Sequence, residues 1–382
     1  MIRLLVDLHS LDGRAEGITT YLTEIYRQAI EQGKGNFQFL LCATDIEHLH
    51  DLFGEHEHVD YVPIPHAGLA RRLCYIYPNL IEKLKVDYAH FQYTIPFRCA
   101  CRRVCTIHDV FFEDFRQGYS WTYSLPRHYL FRYAARHAEL LFTMCDYSRK
   151  RIAHHYGVSE QRIGLTPNAV SEHFASDVAA SRGDVKKKYG IDGDYILYLS
   201  RKEPRKYHVG LVRAFAKSKL WERGLHLALV GAESLPIPEL ETLRKELPPQ
   251  IAARVHCIGA VDYDELCSWY RQAKAFAFSS LAEGFGIPPL EAAMCRLPVL
   301  CSNRTSMSEF DFFGDSHLDP TDEAAMIRGL VRIVEEPPTE RLTAIVDAIQ
   351  RRYSWKRSAD ALLTAIQNDY EQERTHSRAL GK

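Results

Sequence analysis

The stretch SSLAEGFGIPPLE, residues 279–291, decides how this chain is read. The apolar run Ala275-Phe276-Ala277-Phe278 before it has the length and flanks of a buried strand. Pro288 and Pro289 open a helical segment after it, where a missing N–H costs nothing. Between strand and helix lies a loop with Gly284, Gly286 and one acid, Glu283. A second acid, Glu291, is expected in the first helical turn. A strand end, a glycine loop and a helix N-terminus together form an anion site, because unpaired backbone N–H groups point outward there. Two carboxylates beside such a site point to a ligand that carries both phosphate and hydroxyls. Glu291 alone has a simpler reading as well, since an acid in a first turn caps its own helix.

Working outward, 382 residues favour two domains over one. The apolar share of 46% and charged share of 25% are those of a globular protein. A formal net charge of −1 gives no global field for nucleic acid. Ten scattered cysteines fall well short of a disulfide scaffold and fit a reducing cytoplasm. The start MIRLLVDLHS is short and carries Asp7, so it reads as a strand rather than a signal peptide. No window reaches ~18 uninterrupted apolar residues, so any membrane contact is expected to be peripheral, at the inner face.

The rest of the chain alternates. Strands are expected at residues 2–6, 37–43, 86–91, 104–107 and 140–144, with helices at 18–30, 123–138 and 148–156. The loop 9–17 holds Gly13 and Gly17 but lacks the G-x-G-x-x-G order of dinucleotide binders. Around 166–193 the alternation stops, and a second set begins at the strand 195–199. It continues with strands at 226–230, 255–258, 275–278 and 299–301 and helices at 210–216, 239–247, 263–273 and 289–295. The fold class that follows is α/β, with two Rossmann-like, doubly wound domains. The polar tail 371–382 is expected to fray.

Chemistry-bearing residues collect at the carboxyl ends of these strands. Arg201 and Lys206, in SRKEPRK, would neutralise a pyrophosphate, or form a solvated basic turn. His108 follows an apolar strand and could bond a sugar hydroxyl or serve only the fold. Gly17 could let a ligand approach the backbone, or mark a simple turn. Ser302, Asn303 and Thr305 could bond a donor, or make an Asx/ST turn. Cys99, Cys101, Cys105 and His108 have a spacing that matches no usual zinc pattern, and Cys105 and His108 differ in strand parity, so no metal site is expected. Two such domains facing each other would bring Glu283, Glu291, Arg201, Lys206, His108 and Gly17 to one central cleft.

Together these residues resemble the retaining glycosyltransferases of the GT-B fold, family 4. The spacing Glu283-x7-Glu291 matches that family's most specific motif. LYLSRKEPRK matches its strand and G-R-x4-K phosphate loop, with Ser200 in place of glycine. TIHD at 106–109 is similar to its histidine motif, and EGIxxY at 16–21 to its G-G-I-x-x-Y loop, with Glu16 replacing a glycine. LPVLCSNRTSMSE at 297–309 also fits. The resemblance implies boundaries at 1–170 for an acceptor-side domain, 171–193 for the connection and 194–352 for the nucleotide-sugar domain. Residues 353–382 would then form a helix crossing back to the first domain.

It also implies a function: retaining, metal-independent transfer of a hexose or deoxyhexose, with no cofactor. The donor is a nucleotide-sugar, GDP-mannose-like, and the acceptor a saccharide or lipid-linked saccharide in polysaccharide assembly. Arg201 and Lys206 would stabilise the leaving diphosphate. Glu283 and His108 would hold the sugar and Glu291 the ribose. Gly17, Gly284, Phe285 and Gly286 complete the implied donor-binding set. FQYTIPF at 91–97, with 98–103, is the expected acceptor region and resembles segments of bacterial mannosyl- and rhamnosyltransferases. Residues 66–85 mix basic and apolar side chains and read as a bilayer-lying helix or as a helix packed on the sheet and broken at Pro78. An epimerase or hydrolase of the same fold and a non-catalytic nucleotide-sugar binder are the competing functions.

Overall fold

A computed structural model describes residues 1–12, 17–115, 120–171, 174, 183–337 and 339–380. Gly13, Glu16 and, within the expected connection 171–193, residues 172–173 and 175–182 lie outside the described residues. The chain divides into two compact units, Met1–Asn168 with Ser354–Lys382, and Ala169–Tyr353.

The first unit is built on a seven-stranded parallel sheet in the order β3-β2-β1-β4-β5-β6-β7. The strands are β1 (Ile2–Asp7), β2 (Phe37–Ala43), β3 (Val59–Pro63), β4 (Tyr88–Gln92), β5 (Arg102–Thr106), β6 (Leu140–Thr143) and β7 (Ile163–Leu165). Leu4, Leu5, Phe39, Leu40, Val104 and Cys105 are fully buried, as expected for strands covered on both faces. The helix Gly17–Gln32 buries Tyr21, Leu22, Ile25, Tyr26, Ala29 and Ile30, one stripe at helical spacing.

The second unit carries a six-stranded parallel sheet, β10-β9-β8-β11-β12-β13. Its strands are β8 (Tyr195–Leu199), β9 (His226–Val230), β10 (Val255–Ile258), β11 (Ala275–Phe278), β12 (Val299–Ser302) and β13 (His317–Leu318). Both sheets share one topological feature. The chain leaves β1 outward through β2 and β3, then returns to place β4 on the other side of β1. In the second unit β8 and β11 flank the same reversal. Loops leave such a pair in opposite directions, and the crevice between them at the carboxyl ends is where open α/β sheets take ligands.

Three expectations are corrected. The edge strands β3, β7 and β13 were not anticipated; they are short, and a run of two to five residues carries little periodicity. Pro78 does not break the helical segment before β4. Helix Leu69–Arg71 continues through a π-helical stretch Arg72–Ile76 into helix Tyr77–Leu84. Tyr77 N–H bonds back to Arg72 O, five residues away, so Pro78, just inside the new helix, needs no donor. Leu73, Tyr77 and Ile81 of this segment are buried, so its apolar face packs on the sheet.

The tail is not frayed over most of its length, because one helix runs Trp355–Leu380. Leu362, Leu363 and Ile366 are buried, and Arg102 clamps Asp369 through Nε (2.5 Å) and Nη2 (2.7 Å) and reaches Glu373 at 2.7 Å. A polar helix end is thus tied down by ion pairs rather than by apolar burial.

Candidate functional site

The loops after β8 and β11, at the reversal point of the second unit, are stitched together. Leu281 N–H donates to Arg205 O at 2.8 Å, and Arg205 Nη1 donates to Ala282 O at 2.6 Å. Pro204–Lys206 forms one 3₁₀ turn, which Pro204 starts and Tyr207 ends at φ 54°. That turn buries Lys206 and aims its ammonium at Glu283: Nζ lies 2.5 Å from Oε1. Arg205 Nη1 is 3.2 Å from the other oxygen, Oε2. Burial alone would raise the Glu283 carboxyl, but Lys206 and Arg205 outweigh it and hold the group below the ordinary range. Burial lowers the Lys206 ammonium against the pull of Glu283. Glu283 is therefore a carboxylate held by two cations, able only to accept hydrogen bonds.

Arg201 stands apart from this core. Its side chain is 48% exposed and its Nε lies 3.4 Å from Glu203 Oε1, while Glu203 Oε2 accepts from Arg205 Nε at 2.9 Å. The side chains Arg201, Arg205, Lys206, Glu203 and Glu283 leave one net positive charge. Arg205 was missed from sequence, though it stands beside Lys206 in KEPRK; only the tight turn after Pro204 shows that both neighbours face Glu283.

The Glu283 loop rests on a second turn. Glu283 N–H donates to Thr305 Oγ1 at 2.9 Å, and Ser306 Oγ donates to Glu283 O at 2.7 Å. Thr305 has φ 53°, unusual for a β-branched residue. Ser302 Oγ accepts from Arg304 N–H at 3.2 Å, a local turn bond, and Asn303 N–H bonds Leu318 O. Gly286 has φ 95°, and a Cβ there would lie 2.8 Å from Met307 Cγ. Phe285 turns its ring onto Phe310 and Tyr353, so only its backbone faces the loop. Ser200, where the resemblance expects glycine, bonds His208 Nε2 at 3.3 Å.

Glu291 requires a correction. The helix is Ile287–Met294, with no acid in its first turn, so Glu291 does not cap it. Its carboxylate instead accepts from the Tyr270 hydroxyl at 2.7 Å. Burial pushes Glu291 up to about 7, and the Tyr270 bond pulls the other way. Tyr270, on the helix Tyr263–Gln272, carried no sequence signal beyond its place on an apolar face.

In the first unit, His108 is buried just beyond β5. Its Nε2–H donates to Gln92 Oε1 at 2.8 Å, Nδ1 lies 3.2 Å from Met144 Sδ, and Tyr21 stands edge-on at 4.8 Å. Burial lowers its pKa to about 3, so the ring is neutral. In this arrangement a sugar could reach His108 only at the Nδ1 edge, in place of Met144. Gly17 is exposed at the start of its helix, with open space where a Cβ would stand. In the acceptor region, Tyr93 has φ 63° and stacks on Phe131 at 4.9 Å. Cys99 and Cys101 lie 3.2 Å apart while Cys105 is in the core; among the described residues no three His, Cys, Asp or Glu side chains converge for a metal.

Residues 15–174 match the profile of Glycosyltransferase Family 4, and residues 181–352 that of Glycosyl transferases group 1. The chain belongs to the family 4 glycosyltransferases. Several bacterial relatives are mannosyltransferases. The serotype-specific mannosyltransferase WbdA of Escherichia coli is 28% identical over 270 residues, 68% of this chain and 32% of that protein. O-antigen chain mannosyltransferase B of Escherichia coli is 30% identical over 233 residues, 60% of each chain. A GDP-mannose-dependent alpha-(1-6)-phosphatidylinositol monomannoside mannosyltransferase of Mycolicibacterium smegmatis is 28% identical over 211 residues, 52% of this chain and 54% of that one. This family 4 chain thus spans a third to three fifths of those relatives' lengths. Anabaena HepE, solved with UDP and glucose, superposes with a TM-score of 0.70 over 96% of this chain and all of its own, at 16% identity. That likeness shows the fold: two parallel-sheet, Rossmann-like domains of the GT-B class. No described helix is long and apolar enough to cross a membrane.

Proposed function

We propose that this glycosyltransferase moves a mannose-type hexose from a GDP-activated donor to a saccharide or lipid-linked acceptor, with retention at the anomeric carbon and without a metal ion. The observation that carries this reading is the Lys206–Glu283–Arg205 cluster at the reversal point of the second sheet. The donor's diphosphate gains charge as the glycosidic bond breaks, and Lys206 with Arg201 and Arg205 supplies cations for it. The anomeric carbon becomes oxocarbenium-like. Glu283, fixed and ionised, accepts bonds from sugar hydroxyls, and Glu291 with Tyr270 meets the ribose. His108 offers its Nδ1 edge to the sugar, and the backbone at Gly17, Gly284, Phe285 and Gly286 completes the donor set. The mannosyltransferase relatives support the choice of GDP and mannose.

A lipid-linked acceptor has its own support. The helix Trp121–His137 carries Arg127, Arg132 and Arg136 and no acidic residue, and exposes Trp121, Leu125 and Tyr129 at four-residue spacing. Such a face suits an anionic bilayer. Vesicle flotation with anionic and neutral lipid checks that part; no binding to either removes it.

The main experiment is nucleotide release from GDP-, UDP- and dTDP-sugars, with and without mannoside acceptors and with and without EDTA. Acceptor-dependent, EDTA-insensitive GDP release with an α-linked product is expected. Acceptor-independent turnover would favour an epimerase or hydrolase, and binding without turnover a nucleotide-sugar binder.

A further inference from the structure

The first sheet has its own reversal point, between β1 and β4, and a polar cluster sits at the end of β1 that the donor chemistry does not use. Asp7 Oδ1 accepts from His9 Nδ1 at 2.7 Å, from His9 N–H at 3.2 Å and from the Tyr77 hydroxyl. With Nδ1 donating, the neutral ring presents its Nε2 lone pair, and Arg72 Nη2 donates into it at 2.8 Å. Arg72 Nη1 donates to Ala67 O at 3.0 Å, while its Nε is buried with no partner among the described residues. The Asp7 side chain is 5% exposed and that of His9 is 29% exposed, so the cluster runs from the interior to the surface through His9.

We propose that Asp7, His9 and Arg72 form an acceptor subsite that binds a hydroxyl of a neutral saccharide. The proposal deepens the transferase reading and rests on it. A hydroxyl placed between Arg72 and His9 donates to Nε2 and accepts from the guanidinium, so one group replaces their direct contact and leaves both satisfied. Asp7 does not touch the sugar; it fixes the tautomer and plane of the His9 ring, and Tyr77 fixes Asp7. Charge selects the ligand class. The Asp7 carboxylate offsets the Arg72 cation, so the cluster favours a polyol over a phosphate. A purely structural staple between the helical segment 69–84 and β1 would be complete with Tyr77 and Asp7 alone; His9 and Arg72 carry the network outward.

The test uses GDP-mannose and octyl α-mannoside with the full chain. His9→Ala should raise the acceptor KM at least tenfold and leave the GDP-mannose KM within twofold of wild type. His9→Gln, whose amide oxygen can accept the same hydroxyl, should recover part of the loss. An unchanged acceptor KM in folded His9→Ala, or an equal rise in both KM values, overturns the subsite. If wild type makes no transfer to this mannoside, the donor reading is what fails, and the ¹⁵N shift of His9 Nε2 on adding methyl α-mannoside decides the subsite by itself. A saturable shift supports it, and no shift overturns it.

Discussion

Lys206 Nζ stands 2.5 Å from Glu283 Oε1, and the two residues come from loops 77 positions apart in the chain. Each carries a charge that burial disfavours, and each is the other's main compensation. The pair holds the two loops at the β8/β11 reversal in one arrangement and keeps Glu283 ionised.

Removing Lys206 should therefore have two effects. Lys206→Ala leaves a buried carboxylate with only Arg205 against it, and stability should fall by about 2–4 kcal/mol. Turnover should fall at least ~10²-fold if the ammonium supports the leaving diphosphate. Arg201→Ala separates the two effects. With its side chain 48% exposed and a long 3.4 Å contact to Glu203, it should change thermal stability little and still lower turnover. Thermal melts beside steady-state kinetics check both, and near-normal turnover in both variants would remove the phosphate assignment.

Gly286→Ala tests whether the loop geometry is obligatory. At φ 95°, with Met307 Cγ 2.8 Å from the new Cβ, an alanine is strained in both backbone and packing. Destabilisation of about 1–3 kcal/mol is expected from chemical denaturation. Gly17→Ala, with open space at its Cβ, is the control and should be close to neutral for stability.

The alternation of strand and helix was readable because parallel strands buried on both faces are continuous apolar runs. Residues 37–43, 195–199, 226–230, 255–258 and 275–278 coincide with β2, β8, β9, β10 and β11. The Glu283 loop was readable for the same reason, since its strand and its Pro-initiated helix are both strong local signals. What local pattern does not carry is which side chain a turn aims at which. Arg205 and Arg201 look equivalent in SRKEPRK, yet the 3₁₀ turn places only Arg205 on Glu283. The sequence puts Glu291 in the first turn because it starts the helix at residue 289, and the observed start at Ile287, two residues earlier, exchanges a cap for a hydrogen bond to Tyr270. The tail misled because its anchor, Arg102, is more than 250 residues away in sequence.

That anchor can be tested. Asp369 receives the Arg102 fork and the Tyr88 hydroxyl at 2.6 Å, with 17% of its side chain exposed. Asp369→Ala leaves the phenol without its acceptor and the guanidinium with Glu373 in place of two carboxylates, and a loss of about 1–3 kcal/mol is expected. The loss should be accompanied by faster limited proteolysis within the helix Trp355–Leu380; an unchanged cleavage pattern would show that the apolar side chains alone hold it.

Glu291 gives the pH dependence. Its folded pKa stands at about 7 against an ordinary 4.5, so between those values the folded chain binds more protons than the unfolded one. Stability should therefore fall as pH rises from about 4.5 through about 7, by about 3 kcal/mol in all. Glu291→Gln cannot ionise and should lose that slope, melting higher than wild type at pH 8 and no higher at pH 5. Donor affinity should run the opposite way, because a ribose hydroxyl donates to the carboxylate and not as well to the acid. GDP binding should strengthen from pH 5.5 to pH 8 in wild type and stay flat in Glu291→Gln. Tyr270→Phe removes the one bond that lowers the Glu291 pKa, so its affinity midpoint should move to higher pH. Calorimetric titration of GDP across that range checks all three proteins, and an unshifted midpoint in Tyr270→Phe would separate Glu291 from nucleotide binding.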